Sequence, residues 1–217
     1  MAATKLCKVK IIQLAITIID QQGVACLTMR GLAQKLGVKA ASLYNHVENK
    51  AALLDMIQGY LYNHMAQLKN TKDWDKHLIE LGHATRQGLL MHPNMLAVFV
   101  SRPTVTEASL AQAEQTLGIL LQAGFKHHQV LMIFRNFNVF ILGHVLAEVG
   151  PPVGLEQKEN LADSFMRDEH PYPLLDKANR YKNNTNFDYG FKVGLESLVA
   201  GLGLLLKENG KEKKNVK

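Results

Sequence analysis

The 217-residue sequence predicts an all-α protein in two parts, a small N-terminal group of three helices and a larger helical C-terminal body. Three observations predict it. Apolar residues recur at helical spacing along the chain, and no run keeps the two-residue alternation of a strand. Gly, Pro and Asn interrupt that pattern at short intervals. The charge is also divided: of a net +6, residues 1–50 carry +5 and residues 207–217 carry +3, which leaves the stretch between them at −2. A basic end on a near-neutral body points to a polyanionic partner at that end.

The elements follow in order. Residues 8–22 set Ile11, Ile12, Leu14, Ala15, Ile18 and Ile19 on one helical stripe, and Gly23 ends the helix. Thr28 caps a second helix with Leu32, Ala33 and Leu36 inward. Gly37 and Val38 make a tight turn, and residues 39–47 form a third helix with Ala40, Leu43 and Val47 at helical spacing. Asn49 caps a fourth, long helix over 50–68. Further helices are expected at 73–91, 95–100, 106–123, 127–149, 157–167 and 185–207. Prolines at 93, 103, 151, 152, 171 and 173 fall between them, because proline disfavours helix in the residue before it. Residues 207–217 read as a frayed, charged tail. The expected domains are 1–49 and 50–217.

Composition narrows the function. Hydrophobic residues at 47% and charged residues at 20% describe a globular chain with a sizeable core. The most apolar stretch, 130–149, is broken by Arg135, Asn136, Asn138 and His144, which argues against a membrane span. Lys8 and Lys10 interrupt the N-terminal apolar run and no cleavage site follows, so no signal peptide is read. Cys7 and Cys26 form no CxxC, and a reduced, cytoplasmic setting is the default. Nine histidines show no ligand spacing, so no metal site is expected. No nucleophile elbow, phosphate loop or cofactor fingerprint exists, so neither catalytic residues nor a cofactor are expected. Two rival classes stay open: a small-molecule enzyme using Glu80, His83, Arg102 and Glu114, and a helical interaction protein.

Two short helices joined by a glycine turn, after a supporting helix, describe a helix-turn-helix. Leu32, Ala33, Leu36, Val38, Leu43 and Val47 would fix the angle between the helices. Thr28, Arg30, Lys39, Ser42, Tyr44, Asn45 and His46 are then left to face double-stranded DNA, and small Ala40 and Ala41 allow close approach to base edges. Lys50 begins the next helix, where its charge and the helix dipole can both hold a phosphate.

The segment LTMRGLAQKLGVKAASLYNHVENKAALLD, residues 27–55, closely resembles the DNA-binding segment of the tetracycline-repressor (TetR) family. The stretch SRPT at 101–104 is similar to that family's turn after its central helices, and FDYGFKVGLESLVAGL at 187–202 resembles its last, dimer-forming helix. The resemblance implies that Arg30 reaches a guanine. It places Lys39, Ala40, Ala41 and Asn45 toward bases, and Thr28, Ser42, Tyr44, His46 and Lys50 toward phosphates. Ala40 and Asn45 replace larger groups of the tetracycline repressor, which implies a different operator.

The ligand side departs further. Val98 stands where the family has its magnesium-binding histidine, Glu80 replaces a polar anchor and Ala84 an aromatic one. Ser101 and Arg102 are retained, and Phe134, Phe137 and Asn138 complete the candidate lining. The expected effector is an unidentified, more apolar small molecule without a metal. Apolar residues on more than one face of 131–149, and again of 187–206, predict a homodimer through a four-helix bundle. The resulting expectation is a ligand-responsive repressor, in which ligand shifts the helix over 50–68 and so changes the separation of two recognition helices.

Overall fold

A computed structural model describes residues 6–65, 71–101, 105–150, 172–174, 177 and 186–215. The expected helix at 157–167, the turn at 102–104 with Arg102, and the end of the fourth helix at 66–68 lie outside the described residues.

The apolar stripe at the start of the chain becomes α1 (Lys8–Gln22), which buries Ile11, Ile12, Ala15, Ile16, Ile18 and Ile19. Gly23, at φ +81, closes it by donating to the Ile19 carbonyl at 2.7 Å. A 3-10 turn (Val24–Cys26) leads to α2 (Met29–Lys35) and α3 (Ala40–Tyr44). The third helix is shorter than the expected 39–47: Asn45 and His46 sit in a turn, and the chain closes there with Val47 N donating to Leu43 O at 3.1 Å. Next, α4 (Lys50–Met65) packs against α1 on one side and against α5 (Trp74–Met91) and α7 (Glu107–Ala123) on the other. It is therefore the mechanical link between head and body.

In the body, His92 caps α5, a 3-10 turn (Pro93–Met95) follows, and α6 (Leu96–Ser101) begins at once. A reciprocal cap between Thr106 and Ser109 starts α7, and Gly124 at φ +106 ends it. Two long helices, α8 (His127–Val149) and α9 (Phe187–Asn215), lie against α5. The frayed tail expected from 207 is instead helical through Asn215. Its register is held by Asn209, buried in an amide pair with Gln129 at 2.8 and 3.2 Å.

One apolar cluster runs from Ile11 in the head to Val199 in α9. Glycines allow its closest helix approaches. A Cβ at Gly82 would stand 2.7 Å from Leu195, and one at Gly194 would stand 2.8 Å from the Phe140 ring. Some polar groups inside are paired across helices. His77, 1% exposed, donates to Thr116 Oγ1 at 3.0 Å, and that hydroxyl donates on to the Gln112 carbonyl.

Candidate DNA interface and effector core

The outer face of the head follows from its inner one. Leu32, Ala33, Leu43 and Val47 are buried, and helical spacing then turns Thr28, Arg30, Lys39, Ala41, Tyr44 and Asn45 to solvent. Ala40, Ser42, His46 and Lys50 are half-buried at the edge of the same surface. No carboxylate occurs between Leu27 and Val47, so this is a cationic surface suited to phosphate.

Local bonds hold it in shape. Thr28 Oγ1 accepts from Gly31 N at 3.1 Å and caps α2, as expected. Gly37, at φ +69, turns the chain into α3, and Val38 N donates to Ala33 O at 3.0 Å. Asn49 Oδ1 caps α4 by accepting from Ala52 N at 2.9 Å. Lys50 has a role that spacing did not reveal. Its Nζ donates to the Val24 carbonyl at 2.8 Å, tying α4 to the turn after α1 while its other N–H groups remain for an anion.

The candidate effector residues divide in two. Val98 and Phe137 are buried in the shared core, and Ala84 and Phe134 are half-buried. Asn138 Nδ2 donates to the Phe134 carbonyl at 2.8 Å, and exposed Ser101 donates to the Val98 carbonyl at 3.4 Å. Glu80 is placed elsewhere, in an open groove of about 410 Å³ between α5 and α9 with Asp75, Lys76, Ile79, Glu196, Val199 and Ala200.

A buried ionic node was not legible in the sequence. Arg86, 6% exposed, forks onto Glu148 through Nε (2.9 Å) and Nη2 (2.7 Å), reaches Asp188 at 2.7 Å and lies 5.0 Å over the Phe191 ring. It joins α5 to the end of α8 and the start of α9. His144 stands beside it among Phe140, Phe187 and Phe191, and burial first, then Arg86, pushes its pKa down.

Comparison with known proteins decides the class. Residues 11–57 match the family described as bacterial regulatory proteins, tetR family, and residues 67–206 match the tetracyclin repressor-like C-terminal domain. The chain belongs to the tetracycline-repressor family. It is 31% identical to the class E tetracycline repressor protein of Escherichia coli over 201 residues, covering 91% of each chain. A structure described as a possible TetR family transcriptional regulator from Streptomyces coelicolor A3(2) superposes with TM-score 0.79 at 27% identity, covering 92% of this chain and all of that one. ActR of S. coelicolor, solved in complex with actinorhodin, shares the fold at TM-score 0.75 and 24% identity, with 93% and 96% covered.

Membership makes the chain a ligand-responsive, DNA-binding transcriptional regulator, acting as a homodimer. The enzyme reading falls with it, since regulators of this family are not enzymes. It also bears on two apolar helices. Both α8 and the Phe187–Gly210 part of α9 are long and apolar enough to cross a membrane by length and composition alone. Their inner faces, with Phe137, Ile141 and Val145 on α8 and Phe191, Leu195 and Val199 on α9, are buried in the core. Met132, Val139 and Leu146 are exposed at heptad spacing on α8, and Tyr189, Val193 and Leu204 are exposed on α9. A dimer of a family regulator needs such faces, and a bilayer is not required to account for them.

Proposed function

We propose that this regulator is a repressor that binds a near-palindromic operator as a two-fold dimer and is released by an apolar small molecule. The observation that carries the proposal is the acid-free outer face of α2 and α3, set over four buried apolar residues at helix-turn-helix spacing. Arg30 reads a guanine; Lys39, Ala40, Ala41 and Asn45 face bases; Thr28, Ser42, Tyr44, His46 and Lys50 hold phosphates. We place the DNA-binding domain at 1–49 and the effector and dimer domain at 50–217, with α4 spanning the join. The four-helix bundle is made by α8 and α9 of each chain. The protein works in the cytoplasm, where its DNA is.

The effector site lies between α5, α6 and α8, with Ala84, Val98, Phe134, Phe137 and Asn138 on the α5, α6 and α8 sides and Ser101 at the end of α6; Arg102, the other candidate from the sequence, lies outside the described residues. Glu80 contributes from the outer groove, as a charge near the site rather than as lining. Val98 offers no metal donor, which favours an effector that binds by apolar contact over one that binds through magnesium.

Selection of bound duplexes from a genomic fragment pool tests the reading. A palindromic winner that loses affinity steeply with salt is the expected result. Sequence-blind binding at every salt concentration would overturn it.

A further inference from the structure

The head touches the body at a second place besides α4. Asp20 lies in the last turn of α1, and a carboxylate is unfavourable there because the helix C-terminus already carries negative partial charge. The body compensates it. His92, which caps α5, donates from Nδ1 to Asp20 Oδ2 at 2.9 Å. Two residues on, Asn94 Nδ2 donates to the Asp20 backbone carbonyl at 2.9 Å. One residue of the head is therefore held at both its side chain and its main chain by the corner between α5 and α6.

The pairing is incomplete. Asp20 Oδ1 is buried and has no hydrogen-bond partner among the described residues. An enclosed carboxylate oxygen without a partner, on a side chain that is otherwise 31% exposed, is a weak point in the contact, which is therefore suited to having two arrangements. The corner it grips leads directly into α6, the helix that carries Val98 and Ser101. The same helix touches α4 through Phe99 against Tyr62, with ring centroids 6.1 Å apart. So α6 is connected to the head by two routes, through α4 and through the end of α1.

We infer that Asp20, His92 and Asn94 form a latch that couples α6 to the DNA-binding head, and that they are positioning residues for operator binding and its release. The inference rests on the proposed function for what the coupling serves. The latch itself is independent of any ligand or operator.

Hydrogen exchange of the full-length protein tests it. In the DNA-free protein, His92→Ala is expected to speed exchange of the amides at 21–24, across the contact, and Asp20→Ala that of Leu96–Ser101, each about fivefold or more. His92→Gln keeps an N–H donor and is expected to restore most of the protection at 21–24. If neither variant changes exchange on the opposite side, the latch is overturned, whether or not an operator exists. With the duplex selected by the protein itself, binding is expected to slow exchange at Leu96–Ser101 in the wild type and to leave it within about twofold in both alanine variants. A duplex-induced change that persists undiminished in both would reduce Asp20–His92 to simple packing. Failure to select any duplex would count against the proposed function and leave the DNA-free result to decide the latch. Affinity alone is a poor readout, because removing a carboxylate from the head raises attraction to any polyanion.

Discussion

In the proposed docking, Lys50 and Arg30 separate two kinds of DNA contact. Lys50 is tied to the Val24 carbonyl and keeps donors for a phosphate, whereas Arg30 is exposed at the start of α2. Lys50→Ala is expected to weaken binding to all sequences and to lower the salt slope by about one phosphate contact. Arg30→Ala is expected to cost about 1–3 kcal/mol and relax preference at one base pair. Titration of matched and mismatched duplexes at two salt concentrations checks both; a Lys50→Ala slope unchanged from wild type would contradict the docking. Histidines give a pH test. Burial pushes His77 below its ordinary pKa, with Glu80 opposing, and His144 is lowered as well. The unfolded chain then takes up more protons as pH falls through the ordinary histidine range, so stability declines there and levels off below the folded-state values. Denaturant midpoints are expected to be lower at about pH 5.5 than at about pH 7.5, with a smaller difference in His77→Gln. The candidate DNA-facing residues could be proposed from sequence because they sit within 23 positions of one another in a specific motif, from Thr28 to Lys50. Arg86 with Glu148, and Asp20 with His92, were not, because each pair joins residues 62 and 72 positions apart. No local pattern records such a meeting.

At the scale of elements, caps and periodicity placed most helices. Gly23, Thr28, Asn49 and Gly124 end or begin helices where their chemistry says they should, and α1 and α8 match the expected bounds. The departures have physical causes. The turn at Asn45 and His46 shortens α3, and the Gln129–Asn209 pair anchors a stretch of α9 that composition reads as a tail. A glycine inside a helix costs up to about 1 kcal/mol relative to alanine, and Gly194 shows why one is present in α9: the Phe140 ring occupies the space of its Cβ. Gly194→Ala is expected to destabilise by about 1–3 kcal/mol through overpacking, less what the better helix propensity returns. Gly118→Ala on α7, where a Cβ would meet nothing within 4 Å, is expected to stabilise by up to about 1 kcal/mol. Chemical denaturation of the two variants checks the contrast, and equal signs would contradict the close approach.

Across the whole molecule, the single chain leaves an apolar face on α8 and α9 and a cationic face on the head. The first requires a partner, and the second is useful only when two copies are held at a fixed separation. Val139→Asp, in the middle of the exposed heptad stripe, is expected to give monomers by sedimentation and to reduce operator affinity toward the sequence-blind level. A dimer unaffected by it would move the interface elsewhere. The central claim is that two heads read one palindrome from successive major grooves, about one DNA turn apart. Inserting about half a turn, roughly 5 base pairs, at the centre of the selected operator tests it most directly. Affinity is expected to fall to that of unrelated DNA and to recover in part when a full turn is inserted. Undiminished binding to the half-turn duplex would contradict a rigid two-fold reader.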